Sequence, residues 1–171
     1  VGNPFAGVPG ILEIRRRLNA NGWQDRPILD TEHTGVTSKG TGITAAEDAL
    51  DAAYMTQELV LKRTLRINDL PALAGILPLK IRNRGNFYED LWGSLNQDGS
   101  STLRVNAVAL LLSKLNQFGY KSHVSGAFDD EDRVWGEKFQ STATLKELYV
   151  FFKPFKYTSG SNIALDGQTA S

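Results

Sequence analysis

Cysteine is absent from the chain. That excludes disulfides and thiol chemistry and leaves the redox compartment open. Histidine is nearly absent too: His33 and His123 stand far apart, and no zinc-ligand spacing exists. No metal and no cofactor is expected. Net charge is missing as well, because Lys+Arg and Asp+Glu both count 19. Bulk charge therefore offers a nucleic acid nothing to hold. No apolar run approaches the roughly 20 residues that span a bilayer, so no membrane partner is expected. A starting Met is also lacking. Val1-Gly2-Asn3-Pro4 does not read as a signal peptide, and the chain reads as an excised or processed piece of something longer. What remains is ordinary globular composition: 171 residues, 41% hydrophobic and 22% charged. A chain of this length buries roughly two-thirds or more of its unfolded surface.

Taken in order, Val8 to Asn21 reads as a helix, with Ile11, Ile14 and Leu18 on one face. Arg15, Arg16 and Arg17 suit a solvated C-terminal end, Gly22 a left-handed cap, and Trp23 the packing residue beyond it. Pro27-Ile28-Leu29 then ends abruptly in Asp30-Thr31-Glu32-His33-Thr34. A buried parallel strand with a reactive group at its C-terminal end has this texture. Gly35 to Gly42 is a loop, and Thr44-Ala45-Ala46-Glu47 is a capping box. The helix it opens spans about Ala45 to Leu65, with Ala46, Ala49, Leu50, Ala53, Val60 and Leu61 as its buried face. Asp48 and Asp51 near its start suit the helix dipole, as do Lys62, Arg63 and Arg66 near its end. Asn68-Asp69-Leu70-Pro71 breaks that helix.

Leu73 to Ile81 is a second apolar run, a strand that Pro78 weakens. Arg82 to Gly93 is a polar loop studded with aromatics, a candidate ligand-contacting segment as well as a packing one. A third helix spans about Leu103 to Phe118, with Val105, Val108, Leu112 and Leu115 on one stripe, and Gly119-Tyr120 ends it as Gly22-Trp23 ends the first. Asp129 to Asp132 is a solvated acidic turn lacking the ligand spacing of a calcium loop. Arg133 to Gln140 and Leu145 to Phe152 read as two strands, with Leu148, Val150 and Phe152 on one face. Alternating strands and helices predict an α/β fold with a β appendage.

Pro27-Ile28-Leu29-Asp30-Thr31-Glu32 resembles, position by position, the seventh strand of retaining clan A glycoside hydrolases of the β-xylosidase and α-iduronidase kind. Asp51-Ala52-Ala53-Tyr54 is similar to the family's next helix, and Trp92-Gly93-Ser94-Leu95-Asn96-Gln97-Asp98-Gly99-Ser100 to the turn after its eighth strand. Asn106 to Leu115 resembles the closing helix, and Glu147 to Phe152 a strand of the accessory sheet. The resemblance covers most of residues 5 to 153. It implies a partial (β/α)8 barrel: residues 1–120 are its last strand–helix units and residues 121–171 a β accessory extension. It implies carbohydrate as partner and an extracellular or periplasmic setting.

In that family the matching Glu is the catalytic nucleophile, so the resemblance assigns Glu32 that role. His33, Arg82, Arg84, Tyr88 and Trp92 follow as substrate-binding candidates. The eighth strand departs from the family by offering Lys80, Arg82 and Arg84 where a Trp is usual, which points toward an anionic glycan. A full barrel needs about 250 residues, and the Asn-Glu pair carrying the acid/base is absent here. Retention needs two carboxylates about 5–5.5 Å apart; Glu89 and Asp90 are the conceivable stand-ins. The isolated chain is accordingly expected to be inactive without the missing N-terminal part, joined or as a separate chain. Two other readings stand beside this one. Leu115-Asn116-Gln117-Phe118-Gly119-Tyr120, Gly126-Ala127-Phe128 and Phe139-Gln140 resemble a helical peptidoglycan-binding module, which needs residues 103 to 145 helical. A non-catalytic structural or carbohydrate-binding protein on a hydrolase scaffold is the other.

Overall fold

The computed structural model describes residues 8–33, 45–78, 80–82, 93–96, 98–127 and 132–154. Three helices, α1 (Val8–Ala20), α2 (Ala45–Thr64) and α3 (Leu103–Leu115), alternate with short strands. Strand β1 (Leu29–His33) pairs in parallel with β4 (Gly75–Pro78). Between them β2 (Arg66–Ile67) and β3 (Leu70–Pro71) form a small hairpin. Strand β5 (Lys80–Arg82) pairs in parallel with β6 (Gly93–Leu95). The chain then folds β7 (Gly119–Ser125), β8 (Trp135–Gln140) and β9 (Glu147–Phe152) into an antiparallel sheet. The fold is an α/β mixture, as expected. The sheets among the described residues are small and unclosed.

Helix α1 ends as Gly22 allows. Gly22 takes φ +76°, its N–H donates to Asn19 O, and the Trp23 N–H reaches back to Leu18 O. These two bonds make the Schellman cap and satisfy carbonyls that the helix leaves open. Trp23 itself is 55% exposed, so it is not the packing residue expected of it. The buried stripe is Val8, Ile11, Leu12 and Arg15, packed on Leu65 and Ala72, and Ile14 lies outside it, 52% exposed. Gly119 does not repeat the cap. It is the first residue of β7 and has no left-handed φ.

Helix α2 is the central element. Leu50, Val60 and Leu61 are buried as expected, but Ala49 is exposed and Ala52, Tyr54 and Met55 are buried instead. The helix has neighbours on several sides, so one apolar stripe understates what it buries. Val60 joins Leu115 of α3 and Phe139 of β8 in one cluster, bordered by Tyr120, Leu148, Val150 and Phe152. Leu61 meets Trp135 in another. Burying a Phe or Leu side chain contributes about 1.5–3 kcal/mol each, so these contacts fasten the C-terminal sheet to α2. Helix α3 is capped by Thr102, whose hydroxyl accepts from Val105 N. It buries Arg104 and Leu115, while Leu112 is exposed, contrary to the predicted stripe.

Asn68 and Asp69 do more than break α2. Both adopt positive φ (52° and 63°) and turn β2 into β3. Two left-handed residues define the type I′ hairpin turn, which Asn and Asp tolerate best after Gly.

Candidate functional site

Glu32 is the fourth of five residues of β1, toward the C-terminal end of a parallel strand. His33 closes the strand opposite Pro78. The register is irregular here. Asp30 pairs with Ile76 and His33 with Pro78, so three steps on β1 match two on β4. The extra residue is a bulge over Thr31 and Glu32, the kind of irregularity sheets place beside reactive positions. Pro78, last in β4, sits where its missing N–H costs least. Arg82 is the last residue of β5, which follows β4 after a single residue. Glu32 and His33 thus stand at the end of β1, whereas Arg82 ends β5, which pairs with β6 in a separate small sheet. Arg84, Tyr88, Trp92, Glu89 and Asp90 lie outside the described residues, as does the capping residue Thr44.

The other end of the strand pair is held by Arg15. The sequence places it in a solvated basic run, yet it is buried. Its Nη2 donates to Arg26 O at 2.8 Å and to Ala72 O at 3.4 Å, and its Nε to Ala72 O at 3.3 Å. Arg26 precedes β1 and Ala72 precedes β4, so one guanidinium ties both strand entrances to α1. A buried charge needs such partners.

Two residues before Glu32 on β1, Asp30 meets α2. Lys62 Nζ lies 2.5 Å from Asp30 Oδ2 and 2.6 Å from Glu58 Oε1, and the Tyr54 hydroxyl bonds to Glu58. Lys62 is therefore buried rather than serving the helix dipole at a solvated end. Burial pushes the Glu58 carboxyl above its ordinary range, against the opposing pull of Lys62. Burial also pushes the Tyr54 hydroxyl up, and Glu58 adds to that. A raised carboxyl is what a general acid needs, but Glu58 is committed to Lys62 and braces β1. Glu58 and Lys62 stand four apart on one helix, the signal by which this pair is legible beforehand.

A second ion pair, Arg104 Nη1 to Asp51 Oδ2 at 2.6 Å, joins α3 to α2 and is buried. Asp51 thus serves packing, not the dipole role assigned to it. A third polar cluster sits where the C-terminal sheet meets α2. Glu137 Oε1 accepts from Trp135 Nε1 at 2.8 Å and Thr64 Oγ1 at 3.2 Å, with His123 Nδ1 at 3.3 Å. Burial pushes the Glu137 carboxyl up, and the contacts with His123, Trp135 and Thr64 oppose it. Nothing in the local sequence marks Glu137. Among the described residues no group of three or more His, Asp or Glu can hold a metal ion, and no helix is long and apolar enough to cross a membrane.

Of the stretch 103–145 that a helical wall-binding module needs, only Leu103–Leu115 is α-helix among the described residues. Residues Gly119–Ser125 and Trp135–Gln140 are strands.

No family model matches the chain, and no curated protein does. Among solved structures, a family 39 glycoside hydrolase from the gut symbiont Bacteroides cellulosilyticus WH2 is similar in fold, with a TM-score of 0.52 and 17% identity. The match covers 74% of this chain and 23% of that one, so the chain spans about a quarter of that structure's length. The likeness is one of fold, and the fold it supports is that of glycoside hydrolases.

Proposed function

We propose that this chain is the C-terminal portion of a retaining glycoside hydrolase, with Glu32 as nucleophile. The observation that carries the reading is Glu32's place on β1, beside a bulge near the C-terminal end of a parallel strand, in a chain whose fold is like a family 39 glycoside hydrolase. Enzymes of the barrel class set their chemistry at that end of the strands. Residues 1–120 contribute the last strand–helix units, and residues 121–171 are the accessory extension. His33 at the end of β1, Arg82 at the end of β5, and Arg84, Tyr88 and Trp92 are the substrate contacts. The partner is a glycan.

In the retaining reaction a carboxylate attacks the anomeric carbon while an acid protonates the departing oxygen; water then releases the glycosyl ester. Glu32 performs the attack. The acid/base comes from the part of the barrel outside these residues. Arg15 and the Asp30–Lys62–Glu58 lattice fix the entrance and first half of β1, up to two residues before Glu32.

The test uses the intact protein that carries this chain and an aryl glycoside panel. Glu32→Gln should lower kcat by at least about a thousandfold, the scale of losing a catalytic group. Glu32→Ala with added azide should recover turnover and give a glycosyl azide of inverted configuration. Full activity in Glu32→Gln, or efficient turnover by the isolated 171 residues, would dismiss the reading.

A further inference from the structure

The antiparallel sheet has one covered side and one open side. Trp135, Glu137 and Phe139 of β8 alternate toward α2 and are buried. The intervening positions, Gly136 and Lys138, face the other way, together with Glu147, Tyr149 and Phe151 of β9. On that open side Tyr149 is 46% and Phe151 55% exposed. Their rings are parallel within 2° with centroids 6.1 Å apart. Both ring faces therefore have one orientation.

The setting of these rings is built, not incidental. A Cβ at Gly136 would come within 2.5 Å of Phe151 Cε1 and 2.6 Å of Ser125 Oγ. Only glycine lets the Phe151 ring lie across β8. Tyr149 is held by its hydroxyl, which donates to Glu147 Oε2 at 2.8 Å, and Lys138 Nζ lies 5.5 Å from its ring centroid. Lys138 in turn pairs with Glu147 at 2.5 Å, which raises the lysine and lowers the carboxyl from their ordinary values. Two aromatic faces are thus fixed before any ligand arrives, which reduces the entropy lost on binding.

We propose that this open face is a second binding site, a stacking platform for a saccharide chain of no net charge. The frame around the rings selects that occupant. A packed protein layer would need aliphatic neighbours and would bury the Lys138–Glu147 pair at the cost of its hydration. Here Ser125, Lys138 and Glu147 border the rings instead. A polyanion would need free cations, yet Lys138 is neutralised by Glu147, and Lys121 acts on the same carboxylate. A polyproline helix seats its ridges between ring edges that form a groove; Tyr149 and Phe151 are instead two parallel rings on one open sheet face. A pyranose has a flat patch of C–H groups that complements the negative face of an aromatic ring, and a rim of hydroxyls that suits Ser125, Lys138 and Glu147. The choice of a sugar among flat uncharged ligands leans on the hydrolase reading above, but the platform does not involve Glu32.

The test reads retention alone, not hydrolysis, so the fate of the Glu32 assignment leaves it standing. The intact protein is run in native gels containing hydroxyethylcellulose, arabinoxylan or polygalacturonate, and titrated with a proline-rich decapeptide. Retardation is expected in at least one neutral polysaccharide. It should weaken at least tenfold in Tyr149→Ala and in Phe151→Ala, with Tyr149→Leu and Phe151→Leu as well-folded second variants. Leu145→Ser, exposed but off the platform, should retain binding. No retardation in either neutral polymer, equal retardation in all the ring variants, or binding confined to polygalacturonate or the peptide overturns the proposal. So does a concentration-dependent dimer that the ring variants abolish, because the occupant is then a second copy.

Discussion

Replacing Lys62 by Met removes the cation from a buried space that holds two carboxylates. Asp30 and Glu58 then lose the cation that bonds both. Breaking a buried ion pair from one side typically costs about 3–5 kcal/mol. The low end applies here because Glu58 can surrender its charge. Burial already holds its carboxyl above the ordinary value of 4.5, and Lys62 is the first of the influences that oppose this. Without Lys62 the folded-state pKa moves further up. A carboxyl whose folded pKa exceeds its unfolded one contributes stability that is full below the unfolded value and is lost as pH rises through the folded one. Lys62→Met therefore costs about 1 kcal/mol near pH 5 and about 3 kcal/mol near pH 8, within the limit of about 1.4 kcal/mol per pH unit for one proton. Urea unfolding followed by circular dichroism, wild type beside variant at each pH, measures both values. The Glu58→Gln/Lys62→Met double variant should regain at least half of the loss near pH 8. A penalty equal at both pH values, with no regain in the double variant, would refute the electrostatic account and leave only packing.

Arg15→Met leaves the buried Ala72 O and the part-buried Arg26 O without this donor, and one buried acceptor unpaired costs about 1–3 kcal/mol; the same unfolding experiment reads it, and a loss under about 0.5 kcal/mol contradicts the buried role. Glu137→Gln removes a carboxyl that burial pushes up, so wild-type stability should decline relative to the variant as pH rises above the unfolded value, and a difference independent of pH between about 5 and 8 would show that Glu137 does not titrate there.

Local patterns carry the helices well. Gly22 and Thr102 mark helix boundaries by mechanisms that need only neighbouring residues. Strand β1 is legible only in part, because the strand expected in the buried run Pro27-Ile28-Leu29 instead spans Leu29–His33 with Leu29 exposed. The hairpin of β8 and β9 is legible in the alternation of Leu148, Val150 and Phe152. Asn68-Asp69 reads in sequence only as a helix break, whereas the two residues form a left-handed hairpin turn. The misplaced residues are those whose environment is built by distant chain. Arg15 looks like one of three like arginines, and its acceptors Arg26 O and Ala72 O lie 11 and 57 residues away. Asp51 looks like a helix-start acid until Arg104, 53 residues on, meets it. The bulge in β1 depends on its partner strand, and no run of β1 alone encodes it. The proposed substrate contacts rest on family likeness alone; among them the backbone is described for His33 and Arg82.

Helix α3 is greasy almost all round, with Leu103, Leu110 and Leu112 exposed and Leu111 and Leu115 turned inward. Such a rod could slide or roll by a turn along its neighbour and still find aliphatic company. Arg104 forbids this, because a guanidinium meets Asp51 at one setting only. The pair acts as a detent: grease supplies adhesion between the rods, and a single charge supplies their alignment.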